Sequence, residues 1–332
     1  MTILVTGANG FLGSAVARAL LEAGETVRVL VRPGSDQTNL SAQDVDIHIG
    51  DLREPSSLAP ACRGCSGLYH VAADYRLWVK NPQTLYDSNV EGTRNIMRAA
   101  LDAGIPRVVY TSSVATLGLR SDGQAANEDT PVALENMIGH YKRSKFLAER
   151  VVDDMVLGNA LPAIIVNPST PIGPRDIKPT PTGRIVRDAA LGRIPAYVDT
   201  GLNVAHVDDV AQGHLAAFSR GQIGRRYILG GDNLSLQEIL SIVAAWCGRR
   251  PPGVQLSRWM VYPVAWVSEA WAALTDGPEP QATVDGLRMA AKKMFFDCSR
   301  ARAELGYASR PAADAITDAL AWFKAQGRLD PA

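Results

Sequence analysis

The chain has 332 residues, with 34 lysines and arginines against 34 aspartates and glutamates, and 46% of it is hydrophobic. That length supports one large or two modest domains around a sizeable core, and the balanced charge excludes any general pull toward nucleic acid. No apolar stretch of about 18 residues lacks charges or breakers, so no spanning helix is expected. The start at TILVT lacks a basic leader region and predicts no signal peptide, hence a cytoplasmic location.

In chain order, TILVT (2–6) reads as a strand, followed by the glycine turn TGANGFLG (6–13) and the amphipathic stretch FLGSAVARALLEAG (11–24). Strands TVRVLV (26–31), VDIHIG (45–50) and GLYHVA (67–72) follow, then the helical VEGTRNIMRAALDAG (90–104). RVVYTS (107–112), the helical MIGHYKRSKFLAERVVDDM (137–155) and AIIVNP (163–168) complete the first half. Gly24 and Gly104 each end a helix just before the next strand. Strand–helix alternation at this spacing requires right-handed crossovers and a parallel sheet covered on both faces, the doubly wound Rossmann arrangement.

Beyond about residue 170 the texture changes. PSTPIGPRDIKPTPTG (168–183) is dense in proline and glycine and reads as a loop over a cleft. Helical patterns at 183–192, 235–247, 257–274 and 312–326 predict a smaller, mostly helical substrate-binding lobe. The expected division is 1–168 for the dinucleotide-binding domain and 169–332 for the second lobe, with about 203–232 returning to the first.

Cys62 and Cys65 have C-x-x-C spacing, which admits a redox pair or half a zinc site. Gly64 capping a helix, with Cys65 a buried filler before the next strand, explains the pair more simply. Cys247 and Cys298 add no second pair, and the five histidines show no metal-ligand spacing, so no metal is expected.

In the glycine turn, Gly7 permits the tight bend, Gly10 admits a pyrophosphate and Gly13 allows close helix–sheet packing. Phe11 and Leu12 open the helix, whose free N–H groups and dipole favour phosphate. The spacing is G-x-x-G-x-x-G, unlike the G-x-G-x-x-G of many dehydrogenases. After the second strand stands Arg32 where NAD-specific sites place an acid, which favours NADP while leaving NAD possible. The bland alternative is a solvated arginine. Asp51 and Leu52 follow the third strand, where a carboxylate suits the adenine amino group. Ala72 and Ala73 follow the fourth, where small residues would let backbone pass the dinucleotide.

Tyr141 and Lys145, four apart on a helix, share one face. A lysine beside a phenol lowers its pKa, which a general base near neutral pH requires. YTSSVATLG supplies the third group as Ser113, with Ser112 its rival.

TGANGFLG, GDL, HVAA, NVEGT, TSS, YKRSK and NP followed by GP together resemble the extended short-chain dehydrogenase/reductases, the NAD-dependent epimerase/dehydratase family. Within it, ADYRLW, IGHYKRSKFLAE, NPSTPIGPRDIKPTPTGRI and AKKMFFD are most similar to hopanoid-associated sugar epimerases, with dihydroflavonol reductases as more distant relatives. The resemblance implies that Ser113, Tyr141 and Lys145 are catalytic, that Lys145 also holds the nicotinamide ribose, and that Asn89, Pro168 and Thr170 line the cofactor. Asp74, Asn167, Lys178 and Arg184 are the candidates for a sugar or lipid-linked substrate. It also implies a homodimer through the helices near 91–103 and 137–156.

Three functions follow: a sugar epimerase of hopanoid side-chain biosynthesis, an NADPH-dependent ketone reductase, or a non-catalytic dinucleotide sensor. Trp259, Tyr262, Trp266 and Trp271 recur at helical spacing. They read either as packing within the second lobe, or as an apolar lid or shallow membrane contact.

Overall fold

The structure is a computed structural model that describes residues 1–275 and 283–330. The first half runs β1 (Thr2–Thr6), α1 (Phe11–Glu22), β2 (Thr26–Val31), β3 (Asp46–Ile49), α2 (Leu58–Cys62), β4 (Gly67–His70), α3 (Gln83–Tyr86) and α4 (Gly92–Asp102). It continues through β5 (Val108–Thr111), α5 (Gly139–Asn159), β6 (Ala163–Pro168), β7 (Thr170–Ile172), α6 (Pro181–Ala190), β8 (Ala196–Val198) and β9 (Gly201–His206). Next come α7 (Val207–Arg220), β10 (Arg226–Leu229), β11 (Asp232–Ser235), α8 (Leu236–Trp246) and β12 (Val254–Leu256). The last helices are α9 (Arg258–Thr275), α10 (Val284–Met289), α11 (Ser299–Leu305) and α12 (Ala312–Ala325).

Seven strands form one sheet in the order β10-β6-β5-β4-β1-β2-β3, and every pairing in it is parallel. The Rossmann expectation holds. The chain winds outward from β1 to β3, then returns to β4 on the other side of β1, so a crevice opens at their carboxyl ends. Val16 and Leu20 of α1, Val210 of α7 and Leu305 of α11 cover one face against Val5 and Val29. Ile96 and Met97 of α4, with Val151 and Val152 of α5, cover the other against Leu4 and Leu68.

In the second lobe α6, α8 and α12 share a core of Val186, Ile239, Val243, Ile316, Leu320 and Phe323. Short strands lie between these helices. A three-stranded sheet β11-β9-β7 and a two-stranded sheet β12-β8 are built into the lobe. Strands of three to six residues are too short to show a period of two in the sequence.

Cys62 and Cys65 are buried free thiols. Cys65 Sγ donates to Ala61 O at 3.3 Å, and burial pushes the Cys62 thiol up to about 12, so neither is a ready thiolate.

Gly13 leaves no room for a side chain against the backbone of the glycine turn. A Cβ there would stand 2.1 Å from Gly7 O, because α1 starts directly against the turn. Gly13→Ala should lower the unfolding free energy by about 1–3 kcal/mol in urea denaturation and weaken dinucleotide binding in parallel. An unchanged midpoint would show that the turn can give way.

Candidate active site

The glycine turn is shaped for a ligand backbone. Gly7 has φ +73°, and a Cβ on it would meet the backbone of Ala72, at the β4 end, at 2.7 Å. Gly10 N donates to Gly7 O at 2.9 Å and caps α1 with no side-chain acceptor, and no acid occupies the first turn. The first-turn N–H groups of α1, including those of Phe11 and Leu12, therefore point at the crevice without an internal partner. These features fit a dinucleotide pyrophosphate.

Arg32 is exposed at the carboxyl end of β2, with Asp51 close enough to feel its charge. Asp51 itself is held by the Arg53 guanidinium, at 2.6 Å to Oδ2, and this pair keeps its carboxyl below the usual range. Asp36 Oδ1 accepts from Thr38 N at 2.9 Å and Thr38 Oγ1 at 2.6 Å. Lys178 reaches across from the proline-rich loop to Asp36 Oδ2 at 4.0 Å, so it lies by the β2 end of the crevice.

Helix α5 places Tyr141, Lys145 and Glu149 on one face, four residues apart each time. Gly139, with φ +77°, starts the helix. Lys145, only 2% exposed, donates to Thr111 O at 2.9 Å and to Tyr110 Oη at 3.4 Å. Its Nζ also sits 5.0 Å from the Tyr110 ring centroid. Burial draws Lys145 down to about 8, with the Glu149 carboxylate opposing. Burial pushes the Tyr141 phenol up; its hydrogen bond with Ser113 pulls it back, and Asp74 adds to the rise. The expected lowering of Tyr141 by Lys145 is therefore not delivered by the chain alone, because the ammonium is turned toward Thr111 and Tyr110.

The two serines of TSS separate cleanly. Ser113 is half-buried and meets Tyr141, while its Oγ also accepts from Ala115 N at 3.1 Å. Ser112 is buried and donates to Glu149 Oε2. The same carboxylate oxygen accepts from Thr116 Oγ1 at 2.8 Å and from Asn167 Nδ2 at 3.0 Å. Asn167 Nδ2 also donates to Ser113 O at 3.0 Å, so the β6 end steadies the serine loop. Pro168 is buried, and Thr170 starts β7 paired with Val204.

Asn89 lies in a π-turn, Asp87–Glu91, that interrupts the helical run between α3 and α4. Its Oδ1 accepts from Asp74 N at 2.7 Å; its Nδ2 donates to Asp74 O at 2.9 Å and Ser144 Oγ at 3.0 Å. The loop after Ala72 and Ala73 is thereby tied to α5, while the Asp74 carboxylate is held by Arg76. His70 bridges Thr6 Oγ1 at 2.7 Å and Thr93 Oγ1 at 3.0 Å, and burial brings it down to about 3, so it is a neutral strut. Arg184, in the first turn of α6, lies near Asp176, whose buried carboxyl rises to about 6 despite accepting from Thr180 N and Oγ1.

Residues 3–230 match the model of the NAD dependent epimerase/dehydratase family. The chain belongs to that family. A "Putative dihydroflavonol 4-reductase" of Synechocystis is 46% identical over 97% of this chain and 94% of its own. "Sterol demethylase protein B" of Methylococcus capsulatus is 34% identical over 99% of this chain and 100% of its own. The crystal structure of gox2253 is 55% identical, with a TM-score of 0.89 over 99% of both chains.

As a member of the epimerase/dehydratase family the chain is an NAD(P)-dependent enzyme. Reading its sequence for that chemistry finds Tyr141 and Lys145 but passes over Glu149 and Thr116. Glu149 continues the i, i+4 spacing one turn beyond Lys145, and an acid on an otherwise covered helix face is the signal that could have found it. Among the described residues no group of three or more histidines, cysteines or acids is placed to hold a metal.

An unfolded lysine keeps its proton to higher pH than the buried Lys145 does. Stability should therefore rise with pH between about 8 and 10.5 and be insensitive to this group below that window. Relative to Lys145→Met, wild-type stability should gain roughly 3 kcal/mol across the window, measured by urea denaturation at both ends. Parallel pH profiles would refute a buried, titrating Lys145.

Proposed function

We propose that this enzyme interconverts a secondary alcohol and a ketone, with Tyr141 exchanging the hydroxyl proton and Ser113 orienting the substrate oxygen. The observation that carries the reading is the Tyr141–Ser113 contact, with buried Lys145 one turn along α5 and the glycine turn on the same sheet edge. When bound, the dinucleotide supplies or accepts the hydride, and its oxidised ring adds the positive charge that favours the Tyr141 phenolate. In the reducing direction Tyr141 Oη gives its proton to the carbonyl oxygen, and Ser113 Oγ donates a hydrogen bond to that oxygen. Lys145 keeps a cation beneath the site and would hold the nicotinamide ribose. Gly7, Gly10 and Gly13 would admit the pyrophosphate, Asp51 and Leu52 the adenine, and Ala72, Ala73, Asn89, Pro168 and Thr170 the nicotinamide half.

NADP is the proposed cofactor. Arg32 is exposed where a 2′-phosphate would come, and Asp36, the nearest following acid, has an oxygen engaged by Thr38. Net reduction then stands beside the sugar epimerisation that the sequence resemblance suggests. The reductase name of the Synechocystis relative supports the first. The sterol demethylase relative supports a polycyclic or lipid-linked substrate, in keeping with a hopanoid side-chain role. A homodimer through α4 and α5 is proposed on the resemblance.

Tyr141→Phe should cut turnover by about 10²–10⁴-fold while leaving dinucleotide affinity nearly unchanged. Retained turnover would refute the proton role. Stoichiometric loss of NADPH absorbance with a ketone marks reduction, whereas turnover at constant absorbance marks epimerisation. Arg32→Ser should weaken NADP binding by about 10–100-fold and spare NAD. An equal loss for both cofactors would remove Arg32 from the selection.

A further inference from the structure

Helix α9 turns its aromatic side outward. Trp259, Trp266 and Trp271 are 71%, 59% and 68% exposed, joined by exposed Met260, Val264, Val267 and Leu274. The reading that these rings pack the lobe is therefore corrected. Ala265 and Ala272 form the buried side instead. Met260, Val264, Val267, Trp271 and Leu274 recur every three or four residues and make one stripe, with Trp259 and Trp266 along its edge. Between Arg258 and Thr275 the sequence has a single further charged residue, Glu269, and its Oε1 accepts from Val284 N at 2.8 Å. The outward face carries no charge.

One cation, Arg288, borders it. Arg288 of α10 joins Trp259, Tyr262, Pro263, Trp266 and Val284 around a shallow groove of about 410 Å³. The Arg288 guanidinium is exposed and shares Asp285 Oδ1 at 3.3 Å. Arg258 opens α9, and exposed Lys292 follows α10. Uncharged tryptophans beside an arginine match the layered chemistry of a bilayer surface, where indoles sit at the headgroup level and cations meet lipid phosphate. Among the described residues no helix is long and apolar enough to cross a membrane.

We infer that α9 lies in the plane of an anionic lipid surface, with Trp259, Trp266 and Trp271 inserted and Arg288 on a headgroup phosphate. The contact stands independently of the reaction. One extension rests on the proposed oxidoreduction: the carboxylate of Asp285, on α10, lies against Gly139, two residues before Tyr141. The lipid contact would thus bring the cleft to the bilayer and assign a substrate whose apolar body remains in it.

The test is flotation of the full chain with vesicles of equal parts phosphatidylcholine and phosphatidylglycerol. Wild type should float, and the combined Trp259→Ser, Trp266→Ser and Trp271→Ser variant should bind about tenfold more weakly or worse, with dinucleotide affinity unchanged. If that variant loses dinucleotide binding, Val267→Asp, which sets one charge inside the stripe, is read in the same way. No flotation of wild type, undiminished flotation of the variants, or self-association that the variants abolish would overturn the assignment. Flotation with a Tyr141→Phe protein that still turns over substrate would keep the lipid contact and remove only the extension.

Discussion

Seven parallel strands end on one edge of the sheet, and a parallel pair can be joined only by a chain that crosses back over a face. Every loop on that edge therefore leaves a strand whose position is already set by its neighbours. The glycine turn leaves β1, Arg32 leaves β2, Ala72 and Asp74 follow β4, Ser113 follows β5, and Asn167 lies in the last pleat of β6, before Pro168. The groups from different strands are far apart in the chain, yet strand polarity assembles them around one crevice. Helix α5 enters as the crossover between β5 and β6, which is why it lies against both.

What that helix costs is unusual charge in the interior. Lys145 and Glu149 are both almost fully buried on adjacent turns. The lysine is satisfied by a carbonyl and a phenol, the glutamate by a serine, a threonine and an amide. Glu149 also lies near Arg226, with Nε at 3.5 Å, so the acid is bracketed by cations from α5 and β10. Breaking one member of such a network leaves the others unpaired in a low dielectric. The network's product is mechanical: it fixes the Ser112–Ser113 corner, leaving only the second hydroxyl facing Tyr141.

The sheet and the glycine turn were legible in the sequence because each follows from local chemistry: β-branched runs for strands, and glycines at Gly7 and Gly13 where any side chain would collide with backbone. Tyr141 and Lys145 were legible because their spacing matches the helical repeat. Glu149 and Thr116 were hidden, since their meaning depends on which strand end comes to lie opposite α5. The short strands of the second lobe gave too few residues for a period to emerge. Helix α9 fails differently. Amphipathic spacing announces that one face is apolar, but not whether protein will cover it, and here the small residues, not the tryptophans, face inward.

The π-turn at Asp87–Glu91 fits one more residue into the helical run than a regular helix would hold, and each residue of a helix turns the chain by about 100°. The turn thus sets two orientations at once: Asn89 toward Asp74 and Ser144, and Ile96 and Met97 toward the sheet core. A regular helix of the same sequence could satisfy one of these and would rotate the other out of place. The stretch behaves as a mechanical phase adjuster: a helix shortened there by its one extra residue could keep both orientations, whereas one residue more would rotate the crevice side away from its core support.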